Sequence, residues 1–320
     1  MLSSTRTRIL ARIRSGQDSR YAALFSRVLN GNVLNLIDVG AAGAIQPRWL
    51  RVASSLSYTG FEPDSRSRKE LLETEQGCDA YHIVQSALAD RTGDILLNLC
   101  RKPTVSSTLK PNLNLMKHFP EVERFDVIEQ VVIPATTLDE LELPDVDFIK
   151  LDVQGGELAV LQGARVTLSR CLGVEAEVEF ACIYQEQPLF GDIQAYLDEA
   201  GLTFIDFVSI NRWGRYRYDG YGQAVFGDAL FLRSPEAFAA ANPVDVATQI
   251  RWVAICCLYN RFDLIERFVE IRTGPPIPES VLSSVAALRL RFEKARKCTE
   301  RARRVAAHRI GSEFSLHLFC

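Results

Sequence analysis

The stretch VDFIKLDVQGGE, Val146 to Glu157, decides how the chain is read. Phe148, Ile149, Leu151 and Val153 give it the apolar content of a buried strand, yet Lys150 and Asp152 fall two residues apart and so on one face. Lysine and aspartate are among the side chains least often fully buried, and a buried charge is costly unless it is paired. A core strand that carries both just before a Gly-Gly turn is expected where strand ends face a ligand.

Outward from this stretch, strand-like and helix-like runs alternate from residue 34. LNLIDVG, LSYTGFEPD, AYHIVQSALAD, TGDILLNLC, FDVIEQVVIPATTLDEL, VDFIKLDV, LGVEAEVEF, LTFIDFVSI and GDALFLR read as strands. Helical spacing lies between most of them, as at 65–75, 158–168 and 193–201. This predicts an α/β fold, a mainly parallel sheet with helices on both faces. Residues 210–227, rich in Gly, Arg and aromatics, read as a loop, and the strand after them is expected to enter antiparallel. Beyond RSPEAF, Val246, Ile250, Val253, Ala254, Cys257 and Leu258 follow helical spacing, a capping box is expected at Asp263 and Glu266, and Val281, Leu282, Val285, Leu288 and Phe292 share one helical stripe. The expected organisation is a basic helical segment at 1–29, a catalytic domain at 30–235 and an α-helical extension at 236–320.

Composition sets the class. The 320 residues are 47% hydrophobic and 24% charged, as in ordinary globular proteins, and no apolar run is long enough for a membrane span. MLSSTRTRILARIRSG lacks the apolar core of a secretory signal; a basic amphipathic helix accounts for it as well as an organelle transit peptide does. Eight cysteines without C-x-x-C spacing and four scattered histidines give no metal-ligand pattern, so no metal is expected. Scattered thiols fit a reducing compartment, hence the cytoplasm. The net charge of −3 is unevenly spread: residues 1–27 carry six arginines against one acid, residues 289–309 nine basic side chains against two acids, and the body between them 22 basic against 36 acidic. The basic ends either rest on the acidic body or stay solvated, or they touch a membrane surface, another anionic partner or a second copy of the chain. No nucleic-acid partner is expected.

LIDVGAAGAI places Asp38, Gly40, Ala41 and Gly43 at a strand-to-helix turn, where glycines let a ligand approach the backbone. The next strand ends in GFEPD, with Glu62 nineteen positions after Gly43 and Pro63 beside it. An acid there is placed to hold ribose hydroxyls. The glycines are spaced G-x-x-G rather than G-x-G-x-x-G, and Asp38 stands where it would repel a pyrophosphate. S-adenosylmethionine (SAM), with a sulfonium and no phosphate, suits these residues better.

NLIDVGAAGAI, GFEPD, ATTLDEL and above all VDFIKLDVQGGELAVLQGA resemble the FkbM family of SAM-dependent methyltransferases, and EVEFACIYQEQPLFGDIQAYLDEAGLTFIDF and GDALFLR follow in the family's order. The resemblance spans about residues 33–233. It implies a Rossmann-like class I methyltransferase fold and O-methylation of a hydroxyl on a sugar, glycan or natural product. It also implies that Asp38, Gly40 and Gly43 frame SAM, that Glu62 holds the ribose, that Ser86 and Ala87 flank the adenine, and that Asp152 stands beside the methyl donor. Where the family commonly has Glu, this chain has Gln154.

A hydroxyl is a poor nucleophile, so a general base is expected. Asp152, Glu177 and His118 are the candidates, although His118 in NLMKHFPE also reads as a surface histidine. Lys150 is expected to pair with Asp152, or with Glu175 or Glu177 on the following strand, and either meets substrate or only balances a buried acid. Two other classes compete: a non-catalytic SAM-fold module acting through its helical tail, and a nicotinamide-dependent oxidoreductase, which the glycine spacing disfavours.

Overall fold

The computed structural model describes residues 18–42, 45–73, 77–215, 220–241 and 244–316, with backbone alone at 70, 73 and 301–316. The strands are β1 (Leu34–Val39), β2 (Leu56–Phe61), β3 (Ala80–Val84), β4 (Ala87–Leu88), β5 (Gly93–Cys100), β6 (Val127–Thr136), β7 (Phe148–Leu151), β8 (Gly173–Glu179), β9 (Thr203–Phe207), β10 (Asn211–Trp213) and β11 (Gln223–Leu232). The helices are α1 (18–29), α2 (Pro47–Leu50), α3 (Ser65–Glu73), α4 (Leu113–Met116), α5 (Glu157–Gln162), α6 (Arg165–Arg170), α7 (Phe190–Glu199), α8 (Pro235–Ala240), α9 (Val246–Leu258), α10 (Phe262–Ile271) and α11 (Glu279–Leu316).

The main sheet runs β10-β11-β8-β7-β1-β2-β3, with β9 also beside β11. β3, β2, β1, β7 and β8 are parallel, and β11 enters antiparallel against β8, as the sequence leads one to expect. This is a doubly wound sheet, the arrangement expected from the alternating strands and helices. The runs TGDILLNLC and FDVIEQVVIPATT are strands but do not join it. They form an antiparallel hairpin, β5 and β6, which with β4 makes a separate three-stranded sheet. The expected loop 210–227 contains β10 and the start of β11.

Period-two alternation divides the buried side chains between two faces. Ile37, Val39, Ile149, Leu151, Val174, Ala176 and Val178 pack beneath α5, α6 and α7. On the opposite face Leu34, Leu36, Tyr58, Phe148, Leu230 and Leu232 share one core with α1, α2, α9, α10 and the start of α11. The helical extension therefore forms one layer of the sheet's packing. Val281, Val285 and Leu288 are buried in that core, and Leu282 and Phe292 pack at its edge. α10 starts two residues earlier than the expected capping box implies: Arg261 rather than Asp263 is its N-cap, and its guanidinium is 2.9 Å from Asp263. Among the described residues no helix is long and apolar enough to cross a membrane. The basic segment 1–17 lies outside the described residues.

The second face changes character along the strands. Toward their beginnings it is apolar and roofed by the helical extension. Toward their carboxyl ends it carries Asp38, Lys150, Asp152, Glu175, Glu177 and Glu179, and there it opens into a crevice.

Candidate active site

The crevice is built first by the backbone. β1 is followed by Gly40, which holds φ +77°; a Cβ there would lie 1.9 Å from the Asp152 carbonyl, so only glycine lets the β1 turn cross the end of β7. The Gly40 and Ala41 amides donate to the Phe61 carbonyl at 3.0 and 3.1 Å, and the Asp152 amide donates to the Val39 carbonyl at 2.9 Å. Three neighbouring strands are thus tied together where they end. After β7 the chain reverses through Gln154 (φ 59°) and Gly155 (φ 100°). The buried Glu157 carboxylate holds this turn, accepting from the Val153 amide at 2.8 Å and the Gly155 amide at 2.9 Å. Burial pushes Glu157 up to about 7, against those amides.

Two cavities meet at this turn. The first, about 520 Å³, is lined by Gly40, Glu62, Pro63, Ser86, Ala87 and Asp152, all anticipated from sequence. Ile95, Leu97 and Ile133 of the hairpin and Leu88 of β4 supply an apolar wall that sequence reasoning missed. Its acids are Glu62, Asp64, Asp90, Asp94 and Asp152, against Arg91 as the one cationic side chain among the described lining residues. Glu62 is 5% exposed and accepts from the Asp64 amide at 2.8 Å through one oxygen. Burial pushes its carboxyl up to about 7, outweighing that hydrogen bond. Such a lining disfavours a pyrophosphate and suits a cationic ligand that offers hydroxyl donors and a flat apolar ring.

The second cavity, about 290 Å³, shares Gly40, Ala42, Thr104, Asp152 and Gln154 with the first. Phe125, Trp213 and Phe226 give it aromatic walls, Lys102 and Arg124 are its cations, and Glu177 is a further acid. Arg124 lies 4.8 Å from the Trp213 ring centre. Where the cavities meet, Gln154 Nε2 donates to Asp152 Oδ1 at 2.9 Å and to Glu177 Oε1 at 2.7 Å. Tyr184 Oη is 3.0 Å from Gln154 Oε1 and 2.9 Å from the Val105 carbonyl, to either of which its one proton is given. Burial raises Glu177 well above the usual carboxylate range, and Asp152 and Glu179 add to the rise. Burial likewise pushes Glu179 up to about 10.

Several anticipated residues stand apart from the cavities. Asp38 lies one layer below, accepting from Tyr58 Oη at 2.9 Å with Lys150 Nζ at 3.5 Å, and does not line the first cavity. Ala41 is buried and contributes its backbone amide to the turn. Lys150 Nζ is 3.6 Å from Asp152 Oδ2, as one expectation had it, but its nearer partner is Asp38 rather than a β8 glutamate. Burial disfavours its charge, yet Asp38 and Asp152 prevail and hold its pKa above the ordinary lysine value. Glu175 is taken by Arg48 at 2.7 Å and by Tyr259 Oη at 2.5 Å. His118 is exposed just after α4 and lines neither cavity. Gly43 lies outside the described residues. Glu157 and Glu179 join the site without having been singled out for it, and Gln154, noted only as a departure from the family, joins it through its amide; the E-x-E-x-E alternation of a wholly buried β8 was the available signal for Glu179.

Residues 38–204 match the methyltransferase FkbM domain, just over half of the chain. The 2-O-methyltransferase NoeI of Sinorhizobium fredii is 25% identical over 163 residues, which cover 48% of this chain and 66% of that protein, just under two thirds of its length. Among solved structures, a methyltransferase FkbM from Methylobacillus flagellatus aligns with a TM-score of 0.38 at 14% identity, covering 62% of this chain and 43% of that one. The N-methyltransferase NodS of Bradyrhizobium japonicum aligns at 0.35 and 10% identity, over 68% and 96%.

Proposed function

The chain belongs to the FkbM methyltransferase family, and from that premise we propose that it transfers a methyl group from SAM to a hydroxyl of a sugar or hydroxylated natural product. The observation that carries this reading is the pair of cavities meeting at Asp152, one acidic and sized for a nucleoside, the other aromatic-walled with a buried carboxylate. SAM supplies the methyl on a sulfonium. Glu62 holds the ribose diol, the hairpin residues Ile95 and Leu97 with Ala87 enclose the adenine, and Asp152 offsets positive charge.

The second cavity suits a sugar: aromatic faces cover its C–H surface, while carboxylates and an amide accept and give hydrogen bonds to hydroxyls. The 2-O-methyl transfer in NoeI's name supports oxygen as the acceptor atom. Methyl transfer is an in-line displacement, so these walls act mainly by aligning acceptor oxygen, methyl and sulfur. Asp152 and Glu177 are the groups placed to take the hydroxyl proton.

A labelled-methyl transfer screen from SAM over free sugars, oligosaccharides and hydroxylated small molecules tests this. A methylated hydroxyl product, identified by mass and fragmentation, is the expected result. Labelling confined to amines or thiols overturns the O-methyl assignment, and failure to bind SAM overturns the whole reading.

A further inference from the structure

Among the described residues Glu177 is a buried acid that forms no ion pair. Its side chain is 8% exposed, and its Oε1 is held by Gln154 Nε2, a neutral donor that it shares with Asp152. Two of the basic side chains nearby are committed to other acids. Lys150 reaches Asp38 and Asp152, and Arg48 reaches Glu175. Lys102 and Arg124 stand in the wall of the second cavity, and Arg124 pairs with Glu121 at 3.3 Å. Behind Glu177 lie more acids: Glu179 on its own strand, Glu157 on α5, and Asp228 opposite it on β11. Of these, Asp228 is satisfied by Ser209 Oγ at 2.6 Å, while one Glu179 oxygen has no hydrogen-bond partner. Lys150 offsets the charge of Asp152, which is partly exposed, so of the two carboxylates that share the Gln154 amide it is the buried Glu177 whose charge is left without a cation beside it.

The missing cation is the one that the first cavity is lined to receive. Asp152 borders both cavities, so positive charge in the first faces the Asp152–Glu177 pair directly. We propose that Glu177 carries a proton in the cofactor-free protein and gives it up when a sulfonium occupies the adjoining cavity, so that it is a base only in the SAM-loaded protein. This rests on the methyltransferase reading and adds a regulation to it. Deprotonation before the donor arrives would leave an uncompensated buried charge. In the loaded protein Glu177 takes the acceptor hydroxyl's proton as the O–CH3 bond forms and the CH3–S bond breaks, the bonding pair staying on sulfur. The sulfur is then neutral, no cation remains, and the proton stays on Glu177 until the next loading. The raised position of the Glu177 carboxyl agrees with this cycle.

The proton is countable without turnover. Isothermal titration calorimetry of the full chain in buffers of different ionisation enthalpy gives the protons released per ligand bound. SAM and its demethylated product, S-adenosylhomocysteine, offer the same ribose to Glu62, so protons exchanged there cancel in the comparison. At about pH 6.5 the ligands' amino groups stay protonated. SAM is expected to release about 0.5–1 proton more than the product, and Glu177→Gln is expected to bind both ligands with that difference gone. Equal release for the two ligands, or a difference that persists in Glu177→Gln, overturns the proposal while leaving the methyltransferase reading in place. Absence of SAM binding overturns both.

Discussion

Glu175 and Glu177 stand two residues apart on β8, on one face of one sheet, and both are buried. Glu175 lies at the boundary with the helical extension. Arg48 pairs with it at 2.7 Å, Tyr259 donates to it, and the Arg48 guanidinium stacks 4.3 Å from the Tyr259 ring centre. Glu177 faces a cavity, and its carboxylate is held by the Gln154 amide rather than by an ion pair. Burial raises both carboxyls; for Glu175 Arg48 works against the rise, whereas for Glu177 the next contributors are further acids. The fold neutralises the acid that it buries against the helical extension and gives no ion pair to the acid that lines a cavity.

The sharpest break of this comparison is Glu177→Gln. Losing a general base lowers turnover about 10²–10⁴-fold, measured on the acceptor that the transfer screen returns. The fold should gain. A carboxyl raised above its unfolded value stabilises the folded chain only at low pH, and that contribution disappears as pH climbs from the ordinary Glu range toward the folded pKa. Gln has no such loss, so the variant should melt at or above the wild-type temperature near neutral pH, with the gap narrowing toward pH 4. A variant that unfolds earlier than wild type would place Glu177 with Glu175 as a packing acid.

Arg48→Ala tests the other half. It leaves Glu175 buried with Tyr259 alone, and breaking a buried pair costs about 3–5 kcal/mol. Arg48 is itself 27% exposed, so the lower end of that range is expected in urea unfolding. SAM affinity of the folded fraction should be unchanged, because neither residue lines the first cavity. Adding Glu175→Gln should recover part of the loss. If Arg48→Ala weakens SAM binding and not stability, the division between the two glutamates fails.

Glu62 stands between these cases, buried yet satisfied by one backbone amide. A charged hydrogen bond to a ribose hydroxyl contributes about 1.5–3 kcal/mol, so Glu62→Ala should weaken SAM at least about tenfold. With its carboxyl held near 7, wild-type affinity should fall as pH drops below that value, while Glu62→Gln should show a flat profile. The same raised carboxyl makes the ligand-free chain lose stability between the ordinary Glu range and about pH 7. A wild-type affinity independent of pH across that window would remove the carboxylate from the ribose.

What could be read from the sequence follows from how local each signal is. The β1 and β2 ends were legible because a buried run, a glycine and an acid adjoin in the chain, and Gly40, Glu62 and Pro63 line the cavity; Ser86 and Ala87, which only the family resemblance implied, line it too. Lys150 was recognised as anomalous, but its main partner was not, because strand order is not written in a strand. The parallel pairing of β7 with β1 sets Lys150 beside Asp38, while Glu175, its neighbour on the other side, is already held by Arg48. The β5–β6 hairpin shows the same limit: strand propensity reports a pleated, half-buried surface and not which sheet it joins. Phe125, Trp213 and Phe226 reach the second cavity from segments far apart in the chain, and no local pattern marks them. His118 has the right chemistry for a base and the wrong address.

The smallest effect is expected within α11, where the contrast between covered and uncovered surface recurs along one helix. Its first turns are core: Val281 is fully buried, Leu288 is 2% exposed, and Phe292 lies 5.9 Å from Phe262, ring centre to ring centre. Residues 294–300 are exposed, and the pair Arg296–Glu300 at 3.7 Å is of the surface kind that contributes little. Deleting residues 279–320 strips at least three buried apolar side chains at about 1.5–3 kcal/mol each, enough to threaten a domain of ordinary stability. Deleting only 294–320 should shift the unfolding free energy by less than about 0.5 kcal/mol, because no described side chain beyond Phe292 enters the core. SAM affinity should not change. The shorter deletion also removes most of the basic cluster, so light scattering and vesicle sedimentation with anionic lipid, run beside the melts, separate a packing role from a docking role. Unchanged mass and stability with vesicle binding lost would make the distal helix a tether. A large drop in stability would mean that the distal half of α11 packs on this chain or on a second copy.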